Sequence, residues 1–245
     1  MNRTSITGLA CLLAVALTAC AGGGEPPAPS GSPASAPLEA LKEPANSMSV
    51  SPPLSPAPVS AEALAAYRAL LAGEPGALDR PPEGLELHQV TLPPAEELEY
   101  VLLDLDGDGG AELVVQMVAQ PHQFNAVFHY GDGELSCWQY DIMEMSCRDY
   151  PLGDGAMVRQ YDTGTGPNRY SNLYTVFRYL PDGETEECAS LAVHQDTQED
   201  GTEVFTYLVD DAEVDQDTFA AEFEELVGSR LLSREDWSPA TERPG

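Results

Sequence analysis

The chain reads as an α+β protein: a meandering antiparallel β-sheet with an N-terminal and a C-terminal helix, set behind a disordered tether. Three observations predict this. Two segments, near 61–71 and 218–227, carry apolar side chains at helical spacing. Between them run many short stretches rich in Val, Tyr, Phe and Leu, punctuated by turn residues. Ahead of them, 21–60 is dominated by Pro, Ala, Ser and Gly without periodicity, and has too little bulky apolar content to repay its ordering entropy. The expected organisation is a signal peptide over 1–19, a tether over 20–60 and one globular domain over 61–245.

The first helix opens at Ser60, a side chain suited to capping, with Glu62 in its first turn. Leu64, Tyr67, Leu70 and Leu71 form its apolar face, and Gly73 and Pro75 end it. A Pro-rich loop follows, with one strand expected near Leu85–Leu92. Strands are predicted at Tyr100–Leu103, Leu113–Val118, Ala126–Tyr130 and Glu134–Tyr140. Further ones are predicted at Ala156–Tyr161, Leu173–Leu180, Cys188–Val193 and Val204–Val209. The triplets at 131–133, 153–155 and 181–183 each carry Asp-Gly and signal hairpins, because such turns need positive φ angles. The second helix is expected from Thr218 to Val227, capped by Asp217, with Phe219, Phe223 and Leu226 as its apolar face and Gly228 as its stop.

Charge narrows the partners. The 245 residues hold 41 acidic against 11 basic side chains, a net charge of -30, and Lys42 is the one lysine among them. Nucleic acid is excluded as an expected partner, because its affinity comes from cations neutralising phosphate. Such acidity favours a soluble monomer that repels its own copies and concentrates divalent cations.

The amino terminus has the parts of an export signal: Arg3, the apolar run Leu9–Leu17, and the small-residue ending Leu17-Thr18-Ala19-Cys20. The run is too short to span a bilayer, which takes about 20 residues. The ending resembles the lipobox of bacterial lipoproteins. That resemblance implies that Cys20 is lipidated and that the chain is anchored on the extracytoplasmic face of a bacterial cell membrane, with the bilayer as partner of the acyl anchor.

One motif carries chemistry. In the segment 104–112, Asp104, Asp106, Asp108 and Glu112 occupy loop positions 1, 3, 5 and 9, with Gly109 at position 6. Alternate residues of a tightly curled loop point inward, so this spacing aims three carboxylates at one centre. Gly109 permits the turn that brings the Gly110 carbonyl round as a further ligand. Ca2+ wants six to eight oxygens, and an ion-free loop would hold mutually repelling charges. The loop resembles the calcium loops of EF-hands, dockerins and integrin-type propeller blades. That resemblance implies a structural Ca2+ held by Asp104, Asp106, Asp108, the Gly110 carbonyl and Glu112. Position 12 departs from the EF-hand pattern, with Val115 where a bidentate Glu would stand, and the flanks read as strands. These departures point to a weak extracellular site. The arrangement as a whole is similar to uncharacterised anchored lipoproteins of anaerobic bacteria, a resemblance that supplies no activity.

Cys137 and Cys147 lie symmetrically about Ile142. A hairpin turning there would set them opposite each other, either as a disulfide or as two reduced strand residues. His88, His122, His129 and His194 show no zinc-ligand spacing. Trp138, Tyr140, Tyr161, Tyr170 and Tyr174 read as strand faces before they read as a carbohydrate platform. No catalytic constellation is visible. The leading expectation is therefore a non-catalytic, calcium-stabilised binding or scaffolding lipoprotein, and the alternative is a secreted hydrolase acting on cell-wall or glycan material.

Overall fold

The computed structural model describes residues 57–119, 121, 124–142, 147–166, 168–242 and 244. The signal peptide, Cys20 and the tether as far as residue 56 lie outside the described residues.

Helix α1 spans Ala61–Leu71, and the Ser60 hydroxyl accepts the Ala63 N–H at 3.0 Å, the capping read from sequence. Ten strands follow: β1 Leu98–Leu103, β2 Glu112–Met117, β3 Phe124–Gly131, β4 Glu134–Ile142, β5 Cys147–Pro151, β6 Met157–Gly166, β7 Arg169–Tyr179, β8 Thr185–Thr197, β9 Glu203–Val209 and β10 Ala212–Val214. Helix α2, Gln216–Leu226, and a two-residue strand β11, Ser238–Pro239, complete the chain. The α+β class holds, with every strand pairing antiparallel.

The strands form two sheets where one was expected. The first has the order β11-β1-β2-β3-β4 and the second β10-β9-β8-β7-β6-β5. The reason lies in β1 to β3, which bury side chains of both parities. A sheet with two apolar faces must be covered twice. Leu98, Tyr100, Leu113, Val115, Ala126 and Phe128 pack with Tyr67 and Leu70 of α1. Val101, Leu103, Val114 and Val127 pack with Met157, Phe177 and Tyr179 of the second sheet. Helix α2 covers the other face of that sheet, with Phe223 edge-on to Tyr174 at 5.1 Å and Phe219 against Tyr207 at 5.4 Å. The layers run α1, first sheet, second sheet, α2.

The three expected hairpin turns join β3 to β4, β5 to β6 and β7 to β8. Other details differ from the sequence reading. Residues 85–92 hold a short 3-10 turn, Leu87–Gln89, rather than a strand. The cap of α2 is Asp215, whose Oδ1 accepts the Thr218 N–H at 2.7 Å, not Asp217. No disulfide joins Cys137 and Cys147. Cys137 lies in β4 opposite Phe128 and Cys147 in β5 opposite Tyr161, so these residues sit in different sheets and not across one hairpin. The Cys137 thiol donates to the Gln139 carbonyl at 3.1 Å, and burial pushes it up to about 12.

Two polar devices fasten the layers. Asp149 of β5, fully buried, accepts from Arg159 of β6 at 2.9 and 2.6 Å and from Gln139 of β4 at 2.9 Å. Gln139 in turn accepts from the Tyr179 hydroxyl of β7 at 2.6 Å, which ties the two sheets together. Asp154, in the β5–β6 turn, accepts from Arg178 at 2.8 Å and Arg230 at 2.6 Å. Burial alone would raise the Asp154 carboxyl, but the Arg230 hydrogen bond and the two guanidinium charges hold it below its ordinary value. A carboxylate depressed in the folded state stabilises above its unfolded pKa, about 3.9, and loses that contribution as pH falls through the folded value. In denaturant titrations, wild type should exceed Asp154→Asn by a constant margin near neutral pH, and the gap should close below about pH 4.

Candidate metal centre

The loop 104–111 joins neighbouring strands of the first sheet, and the Leu103–Glu112 pair closes its base. Its conformation follows from its residues. Gly107 and Gly109 sit at φ +78° and +89°, in the left-handed region where a side chain is strained. Leu105 points the other way, fully buried between the two sheets, and so anchors the loop to the core.

Backbone amides set the carboxylates. Asp104 accepts from Gly107 N–H at 2.7 Å and Gly109 N–H at 3.1 Å. Asp106 accepts from Asp108 N–H at 3.0 Å, and Asp108 from Gly110 N–H at 2.5 Å. Asp104, Asp106 and Asp108 each offer an oxygen within 4.8 Å of the others, so the 1-3-5 spacing converges as its residues predict. Gly110 ends the turn, close against the Asp108 carboxylate.

Glu112 groups with Asp106 rather than with all three loop aspartates. It is 1% exposed, at the start of β2, where its Oε2 accepts the Leu105 N–H at 2.7 Å and its Oε1 lies 2.9 Å from His129 Nδ1. It forms a second group with Asp106 and His129, again with ligand atoms within 4.8 Å. His129 escaped the sequence reading because it is 17 residues away and matches no ligand spacing. The β2–β3 register, with Leu113 opposite Phe128, is what brings it beside Glu112. Either group could hold a metal ion.

The electrostatics are those of a site short of positive charge. Burial raises the Glu112 carboxyl, against its bonds to His129 and Leu105. Burial also raises Asp106, with the charges of Asp108 and Asp104 adding to the shift. Burial disfavours the His129 cation, but its bond to Glu112 and the charges of Glu112, Asp106 and Asp108 outweigh that and raise its pKa. A bound cation would relieve the same repulsion.

Three layers meet this loop. The Tyr67 hydroxyl of α1 donates to the Ala111 carbonyl at 2.8 Å. From the second sheet, Gly155 at φ +82° packs against the Asp104 carbonyl so closely that any Cβ there would overlap it. His129 stacks on Trp138 with ring centroids 4.3 Å apart. Trp138 is the unpaired residue of a bulge in β4, since Val127 faces Gln139 and Phe128 faces Cys137. His129 and Trp138 line a cleft of about 580 Å³ together with Arg80, Glu83, Asp132 and Asp182.

The remaining candidates disperse. Tyr140 bonds Thr91 and stands edge-on to Phe124, Tyr174 packs under α2, and Tyr161 and Tyr170 lie exposed along β6 and β7. Ser171 bonds His194 at 2.7 Å, but the serine is 1% exposed and closed to a substrate. Set against protein-family models, curated proteins and solved structures, the chain matches none.

Proposed function

We propose that the chain is an extracytoplasmic bacterial lipoprotein, held on the membrane through acylated Cys20, whose folded domain is a non-catalytic, calcium-stabilised binding or scaffolding module. The observation that carries the calcium reading is the convergence of Asp104, Asp106 and Asp108 in the loop joining β1 and β2. Hard oxygen donors in a curled, glycine-permitted loop suit Ca2+, with Gly110 and Glu112 completing the shell as the loop closes. Lacking a bidentate acid at its twelfth position, the loop fits dissociation constants on the order of 10⁻⁴ to 10⁻³ M, the range of extracellular modules. The hydrolase alternative draws on the cleft beside Trp138. Against it, the Cys137 thiol is held protonated by burial and the Ser171 hydroxyl is shut away.

An ion that binds only the folded state stabilises by RT ln(1 + [Ca2+]/Kd), about 1.4 kcal/mol at tenfold excess. The melting temperature should therefore rise with calcium and fall with chelator, while magnesium, which demands a tighter octahedral shell, does this poorly. Asp106→Ala removes an ion ligand and no core atom, so it should abolish the calcium response while leaving the fold. Calorimetry showing no binding to the chelator-treated chain at millimolar calcium would overturn the reading. For the anchor, Cys20→Ala should shift the protein from the membrane fraction to the soluble or precursor form, and unchanged partitioning and mass would refute acylation.

A further inference from the structure

We propose that Asp106, Glu112 and His129 form a second divalent site that takes a transition metal of the zinc class; it shares Asp106 and Glu112 with the calcium shell, while His129 belongs to it alone and Asp104 to the calcium shell alone. The proposal extends the calcium reading to a neighbouring ion, and the two are separated by their ligands. Each of the three residues offers a ligand atom within 4.8 Å of the others. Two of them are deeply placed, the Glu112 side chain being 2% and that of His129 15% exposed. His129 Nδ1 lies 2.9 Å from Glu112 Oε1. Donors on one ion at metal–ligand distances of about 2.0–2.2 Å stand roughly 3 Å apart, so little movement is needed.

An independent observation points to the ion. Asp106 Oδ1 accepts the Asp108 N–H, but Oδ2 is shut off from solvent and has no hydrogen-bond partner among the described residues. A buried carboxylate oxygen without a donor is costly, and a cation in this group would satisfy it. The donor set selects the ion. Calcium takes oxygens, whereas one imidazole with two carboxylates suits zinc and its neighbours. The imidazole is also held in place. Trp138 stacks on it at an interplanar angle of 11°, and the backbone of Gly131 comes so close to Nε2 that a Cβ there would collide. Glu112 and His129 stand on paired strands, so the register of the first sheet fixes their separation.

The test is isothermal titration of the chelator-stripped full chain with Zn2+ and with Ca2+, on wild type, His129→Asn and Asp104→Asn. His129→Asn should weaken zinc binding about tenfold or more and leave calcium binding unchanged. Asp104→Asn should do the reverse. Co2+ in place of zinc identifies the donors, since thiolate ligation adds an intense near-ultraviolet charge-transfer band that nitrogen and oxygen ligands lack. Zinc affinity unchanged in His129→Asn, or a thiolate band accounting for the bound cobalt, would overturn the proposal. If His129→Asn does not fold, imidazole NMR of wild type gives the same answer: zinc should shift the His129 Nδ1 resonance as direct ligation does, and its failure to move with zinc refutes the proposal. Zinc binding that depends on His129, with no calcium binding, would sink the calcium reading and leave this one standing. Calcium binding without zinc binding would do the opposite.

Discussion

Repulsion among the carboxylates of the β1–β2 loop is the constraint on which the architecture turns. Asp104, Asp106 and Asp108 converge at the surface, and Glu112 is buried at the loop's base. The loop has to stay closed, because three of the four layers are attached to it. Leu105 is sunk between the sheets, Tyr67 reaches it from α1, and Gly155 presses on Asp104 from the second sheet. Opening the loop to relax its charge would therefore disturb packing on three sides. Backbone amides offset part of the repulsion, and His129 faces Glu112. A dication would supply the remainder.

The placement of the few cations sharpens this point. Arg159 neutralises Asp149, Arg234 pairs with Glu99, and Arg178 and Arg230 share Asp154. Arg80 and Arg169 pair with Glu134 and Asp196. Two of these acids, Glu99 and Asp149, are buried carboxylates whose desolvation would be prohibitive without a partner. Among the described residues no arginine pairs with an aspartate of the loop. In a chain with 11 basic side chains against 41 acids, the described arginine pairs lie elsewhere, and the loop's carboxylates form groups that could take a cation from solution.

Much of this was legible in the residues. The Ser60 cap, the two amphipathic helices and the three Asp-Gly turns are local signals, and they survive intact because nothing distant overrides them. The convergence of Asp104, Asp106 and Asp108 was readable for the same reason, since spacing within one loop decides it. What escaped depends on distant partners. Strand β5, Cys147–Pro151, carries Arg148 and Asp149, and Asp149 is tolerated inside only because Arg159 and Gln139 meet it. Strand β11 is two residues long and exists because β1 offers an edge, Glu99 facing Pro239. His129 joins Glu112 through strand register, which a list of ligand spacings does not contain. The division into two sheets was foreshadowed by Leu113, Val114 and Val115 of β2, three consecutive apolar residues that bury both faces, a pattern of two-sided cover rather than of one wet face.

If the loop governs how the layers hold together, an ion bound there should be felt far from its ligands. Hydrogen exchange of the full chain with calcium and with chelator measures this directly. The account predicts that calcium slows exchange in the loop, at the paired amides of β1 and β2, and in the Gly155 turn of the second sheet. The β9–β10 hairpin, remote in the sheet order, should be little changed. Protection confined to residues 104–112, with the β1–β2 ladder and the Gly155 turn indifferent to the ion, would contradict the claim that the loop's charge controls the packing of the two sheets.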